Sequence, residues 1–157
     1  MIKGIFETHV HVCNLERAKG FYEDKLGLKR VLELDDRRVV FYEMPNGVQI
    51  FGVWEIGEEK WTRSHFAFEV SSIEEATDWL KSRGIEPVVS FGLEPVEPVV
   101  HTWVPMACVY FQDLDGNSLE MAVRLPQPPA EKADVIYLSE WEERQRGNVG
   151  RKLDVNQ

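Results

Sequence analysis

The chain has 157 residues, the size of one ordinary domain, and with 43% hydrophobic and 29% charged residues it can build a packed core. Its net charge of −9 argues against nucleic acid and anionic membrane as partners, because both require a basic footprint. The opening MIKGIFETHV lacks a basic stretch followed by an apolar one, and no run approaches the roughly 18 apolar residues of a membrane helix. The expectation is a soluble, cytoplasmic protein. Cys13 and Cys108 fit neither a C-x-x-C metal spacing nor a disulfide framework, and read as free buried thiols in a reducing compartment.

The first segment, IFETHVHVC from Ile5 to Cys13, alternates like a half-buried strand. Phe6, Thr8, Val10 and Val12 share one face, and Glu7, His9 and His11 share the other. Asn14 is placed to cap a helix carrying Leu15, Ala18, Phe21, Tyr22 and Leu26 on one stripe, and Gly27 ends it. Strands follow at LKRVLELD and RRVVFYEM, then a Pro45-Asn46-Gly47 turn leads into VQIFGVWE. The second half repeats the plan: SHFAFEV is a strand, and Ser72 with Glu75 forms a capping box. A helix with Ile73, Ala76, Trp79 and Leu80 on its stripe ends at Gly84. EPVVSF, MACVYFQD, a turn at Asp115-Gly116 and NSLEMAVR complete it.

Adding 58 carries Asn14 to Ser72, Leu15 to Ile73, Ala18 to Ala76, Phe21 to Trp79, Tyr22 to Leu80 and Glu7 to His65. A repeat of this length predicts an α+β fold of two βαβββ modules in tandem, about 4–57 and 63–125, within one domain of residues 1–125. Each helix covers one sheet face, and the open faces curl into a mixed sheet around a central cleft. Phe91 to Pro105 holds three prolines and reads as a semi-rigid loop rather than a strand. Residues 126–157 form a C-terminal extension. In it, Ser139-x-x-Glu142 is placed to cap a short helix, Val135, Ile136, Leu138 and Trp141 pack on the domain or a dimer mate, and fraying is expected from Gly147.

Parity selects the candidate site. Glu7 and His65 hold matching places on the faces away from the helices, and Glu120 breaks an otherwise apolar strand on the face opposite Leu119 and Met121. A carboxylate there needs a cation, a metal or solvent. Glu7, His65 and Glu120 converging on one cleft would suit one hard or borderline divalent ion.

ETHVHVCNLERAKGFYEDKLGL resembles the opening of the vicinal oxygen chelate superfamily, HFAFEV resembles the start of its second module, and VYFQDLDGNSLEM resembles its closing motif. This is the family of glyoxalase I, methylmalonyl-CoA epimerase, fosfomycin- and bleomycin-resistance proteins and extradiol dioxygenases. The resemblance implies metal ligands at Glu7, His65 and Glu120, a divalent ion (Zn, Ni, Mn, Fe or Mg), and Glu120 or Glu7 as the base. It implies a metal-dependent lyase or isomerase acting on a small substrate with vicinal oxygens, in a homodimer. The alternatives are a dimeric drug- or metabolite-binding resistance protein without catalysis, and a ring-cleaving dioxygenase. The last is disfavoured because one His with two carboxylates is not the two-His-one-carboxylate triad. Two departures stand out. The position matched to a fourth glyoxalase ligand is Phe51, with Gln49 as a weak substitute on the same face, and Glu7 stands where the family often has His, so that His9 becomes a replacement if the register shifts. Gln49, Phe51, His9, His101 and Trp103 are the candidate substrate contacts, with Trp103 stacking and His101 donating a proton or hydrogen bond. The alternative for His101 and Trp103 is a solvated surface loop.

Overall fold

The computed structural model describes residues 7–47, 49–57 and 62–154, with side chains to residue 147. Phe6 and Val48, expected in the first and fourth strands, lie outside the described residues. The described residues form two compact units, those up to Phe66 together with Gln112–Ser118, and Ala67–Phe111 together with those from Leu119 on.

In the first unit, β1 (Glu7–Val12) leads to α1 (Leu15–Lys19). The Asn14 side chain accepts a hydrogen bond from the Arg17 N–H at 2.8 Å, capping one of the orphan donors of the first turn. The helix widens into a π-type segment (Gly20–Lys25), and its stripe of Leu15, Ala18, Phe21 and Tyr22 is buried. β2 (Lys29–Leu34), β3 (Val39–Glu43) and β4 (Ile50–Glu55) complete a sheet of order β1-β4-β3-β2. β1 pairs parallel to β4, with Thr8 opposite Phe51 and His9 opposite Gly52, and the other pairings are antiparallel. This register fixes which residues share a face. Phe51 joins Thr8 and Val10 and packs on Tyr22 and Tyr42, with ring centroids 5.1 and 6.2 Å away. Gly52 lies beneath His9, where an added Cβ would come within 2.6 Å of the imidazole.

The turn within Gln112–Ser118 belongs to this unit and is tied together by side chains. Asp113 accepts from the Asp115 and Asn117 N–H groups at 2.9 Å each. The Asn117 amide donates to His11 O at 2.8 Å and to Asp113 at 2.7 Å, and accepts from the Ser64 N–H at 2.8 Å. Gly116 takes φ +79°, a conformation that suits glycine. The Tyr22 hydroxyl donates to Asp113 at 2.8 Å; burial first, then the Asp113 charge, pushes its pKa well up. The DLDGN motif is therefore structural, satisfying buried polar groups at a tight turn.

The remaining elements are β5 (His65–Glu69), α2 (Ile73–Ser82), β6 (Val99–His101), β7 (Met106–Gln112), β8 (Ser118–Arg124), β9 (Val135–Tyr137) and α3 (Leu138–Asp154), with sheet order β5-β8-β7-β6-β9; all of them belong to the second unit except His65 and Phe66 of β5, Gln112 of β7 and Ser118 of β8. Ser72 caps α2 by accepting from the Glu75 N–H, as the capping box predicts, while its hydroxyl proton goes to Glu74. Ile73, Ala76 and Leu80 are buried. Leu15, Ala18 and Tyr22 are their partners under the 58-residue offset and are buried too.

The structure corrects the sequence reading at several places. EPVVSF, expected as a strand, forms only the isolated Ser90–Leu93 bridge. Val99–His101, expected in a loop, is a strand. The prolines of that segment flank these three residues rather than interrupt them, and β7 and β9 pair with the strand on both sides. The tail contributes that second neighbour, so it is more than a helix. β9 forms a strand, Ile136 and Trp141 are 5% and 2% exposed, and buried Thr102 anchors Asp134 by hydrogen bonds of 2.8 Å to its N–H and 3.1 Å to its carbonyl. The α3 helix starts at Leu138 and its backbone is helical to Asp154, past Gly147. Its cap is not the Ser139-Glu142 box. The Glu97 carboxylate accepts from the Ser139 N–H at 3.1 Å and from its hydroxyl at 2.6 Å, placing a negative charge at the helix N-terminus, where the dipole favours it.

Candidate functional site

Strand alternation places Glu120 and Ala122 of β8 on one face, opposite Leu119 and Met121. Ala122 belongs to a buried cluster with Val99, Cys108 and Tyr110, so this face of the second sheet is apolar except where it carries side-chain chemistry. His101, Cys108 and Glu120 are 6%, 0% and 3% exposed. A ligand-type atom of each lies within 4.8 Å of those of the other two. Glu120 Oε2 is buried with no hydrogen-bond partner among the described residues. A carboxylate oxygen left in that condition is costly unless a proton or a cation satisfies it.

Tyr110 organises the cluster. Its hydroxyl lies 2.7 Å from His101 Nε2. Burial, then a hydrogen bond to Glu120 and the Glu120 charge, raise its pKa far above the ordinary phenol value. The phenol is thus neutral and donates to Glu120, while its oxygen is open to accept from an Nε2–H of His101. Burial first and the Glu120 charge second also push the Cys108 thiol up. A nitrogen, a sulfur and an oxygen ligand make a donor set that suits a borderline divalent ion, so the residues present fit a metal.

His101, expected at the pocket rim, lies instead beneath two exposed aromatic rings. Phe91 and Trp103 meet its imidazole edge-on, with centroids 5.0 and 4.6 Å away, and they are 62% and 44% exposed. Phe91 sits at φ +52°, a conformation unusual for a non-glycine residue, next to the Ser90–Leu93 bridge. Beside the cluster, a small pocket is lined by Val88, Leu93, Pro95, Val99, Cys108 and Tyr110 among others.

The remaining sequence candidates lie in the first unit. Glu7 is exposed, and its carboxylate pairs with His9 Nε2 at 2.7 Å. His9 Nδ1 accepts from the Trp54 indole N–H at 3.2 Å, so both ring nitrogens are engaged. His65 is exposed, with Nδ1 3.1 Å from Ser118 O and 3.3 Å from its hydroxyl. Gln49 accepts from the Asn46 side-chain amide. Phe51, expected beside Gln49 as a substrate contact, is 1% exposed and sits in the core on the face opposite Glu7. The parallel register with β1 is the reason. Sequence reasoning missed Cys108 and Tyr110. The alternation of MACVYF already put them on one face, but only the strand order sets that face beside Glu120 and His101.

The chain matches the family model described as Glyoxalase/Bleomycin resistance protein/Dioxygenase superfamily over residues 4–121. None of the curated proteins compared matches it. Among solved structures it is similar to an integron cassette protein from the mobile metagenome of the Halifax Harbour sewage outfall: 32% identity, 78% of this chain and 99% of that one covered, TM-score 0.66. A glyoxalase/bleomycin resistance protein/dioxygenase from Nocardioides is 23% identical, over 84% of this chain and 90% of that one, with TM-score 0.62. Lactoylglutathione lyase from Agrobacterium tumefaciens is 22% identical, over 78% and 94%, with TM-score 0.59. The last two show a shared fold.

Proposed function

Because the chain belongs to the glyoxalase/bleomycin resistance protein/dioxygenase superfamily, we propose that it is a metal-dependent lyase or isomerase acting on a small substrate with vicinal oxygens. The observation that carries this reading is Glu120, a carboxylate 3% exposed whose Oε2 has no hydrogen-bond partner among the described residues. Such a group suits a cation ligand, the role the resemblance gives it. A divalent ion held there supplies Lewis-acid polarisation of substrate oxygens.

The chain's own groups supply the proton chemistry. Tyr110 donates to the Glu120 carboxylate and His101 supports Tyr110, so the carboxylate is held in one orientation. Glu120 takes a proton from the carbon beside a substrate carbonyl and returns it to the product. Phe91 and Trp103 shield His101 and present apolar surface to the substrate. A homodimer and a cytoplasmic setting belong to the same proposal; among the described residues, no helix is long and apolar enough to cross a membrane.

The test is proton exchange. Protein stripped with chelator and reloaded with Zn, Ni, Mn, Fe or Mg is incubated in deuterium oxide with α-ketoaldehyde–thiol adducts, acyl-CoA epimers and catechols. Metal-dependent exchange or conversion of one of these is expected. Tight binding of a small apolar ligand to metal-free protein, with no turnover in any metal form, would establish a binding module instead.

A further inference from the structure

The geometry points to a divalent-metal site complete within the second unit, with His101, Cys108 and Glu120 as its protein ligands and Cys108 bound as a thiolate. This rests on the metal-dependent reading above but changes its ligand set: Glu120 is kept, and Cys108 and His101 replace Glu7 and His65.

Three independent observations carry it. The first is proximity: ligand atoms of the three residues lie within 4.8 Å of one another, although they come from three strands. The β6–β7 register sets Val99 opposite Cys108 and His101 opposite Met106, so Cys108 and His101 are diagonal neighbours on one face. The second is the orphaned Glu120 Oε2, more than nine-tenths buried within this group. A thiol and an imidazole are the groups beside it that can share a cation with it. The third is the contrast with Glu7, one of the ligands the resemblance assigns. Glu7 is exposed to solvent and lies 2.7 Å from His9 Nε2, and both ring nitrogens of His9 are engaged.

The donor set specifies the ion. Mg2+ prefers oxygen ligands and retains water, so a thiolate and an imidazole select against it and in favour of Zn2+ or Co2+. Three protein ligands leave a fourth position for substrate or water, the pattern of a catalytic zinc site rather than a structural one. Tyr110 holds Glu120 from outside the ligand set, as a positioning residue.

Cobalt titration of the intact chain tests the assignment. The expected result is near-ultraviolet absorption typical of thiolate-to-cobalt charge transfer, present in wild type and in Cys13→Ser and absent in Cys108→Ser. His101→Ala should weaken binding by at least the ~10- to 100-fold that losing an outer-shell partner costs. Zinc X-ray absorption of wild-type protein should show one sulfur at about 2.3 Å, a readout that does not depend on any variant folding. A zinc shell of only nitrogen and oxygen overturns the proposal, as does binding lost in His65→Ala or Glu7→Ala but retained in Cys108→Ser. Absence of any metal binding would defeat this proposal and the metal-dependent function together. A sulfur-ligated metal with no turnover would defeat only the function.

Discussion

The two halves of the chain follow one plan yet treat their acidic side chains in opposite ways. In the first, Glu7 stands on the face of β1 opposite the core residues Val10 and Val12, exposed and 2.7 Å from His9. In the second, Glu120 stands on a strand whose Leu119, Met121 and Ala122 neighbours are buried, and one of its oxygens has no partner among the described residues. Water stabilises the first carboxylate almost without help from the fold. The second depends on what the protein or a ligand brings to it, because a buried charge must be paired. A residue's chemistry is therefore read from its surroundings more than from its place in a repeat.

Four substitutions probe this contrast. Glu120→Gln keeps the shape and removes the base, so turnover should fall by a factor on the order of 100 to 10,000, measured as kcat with the substrate found in the exchange screen. Full activity in that variant would remove Glu120 from the chemistry. Trp141→Ala should follow in size. It empties a 2% exposed site in the second unit and should lower unfolding free energy by ~3–5 kcal/mol in a denaturant titration. A negligible change would make the tail a passive extension. In the first unit, Asn117→Ala deletes hydrogen bonds to His11, Asp113 and Ser64 at a position 0% exposed. It should cost ~1–3 kcal/mol in the same assay, because buried partners are left unsatisfied. The smallest effect belongs to Glu7→Gln. Its pair with His9 is exposed, and such pairs contribute under ~1 kcal/mol. If Glu7→Gln destabilised the chain as much as Trp141→Ala, the contrast between solvated and buried carboxylates would fail.

The local elements and the repeat were legible in the amino-acid sequence. Asn14 and Ser72 cap the helices that the pattern places there, and the 58-residue offset pairs buried positions Leu15 with Ile73 and Ala18 with Ala76. These features depend on neighbours a few residues apart, through helix periodicity and strand alternation, so one dimension contains them. Alternation also set Glu120 apart from Leu119 and Met121. Its surroundings came from tertiary structure alone. Parallel pairing with β1 turned Phe51 into the core. The tail strand β9 made a strand of the Val99–His101 segment that its flanking prolines had marked as a loop. That strand brought His101 to Cys108 and Glu120, residues from three segments whose proximity is set by sheet order. Sheet order is chosen by the burial of whole faces, an energy spread over the entire core, and no short window of sequence contains it.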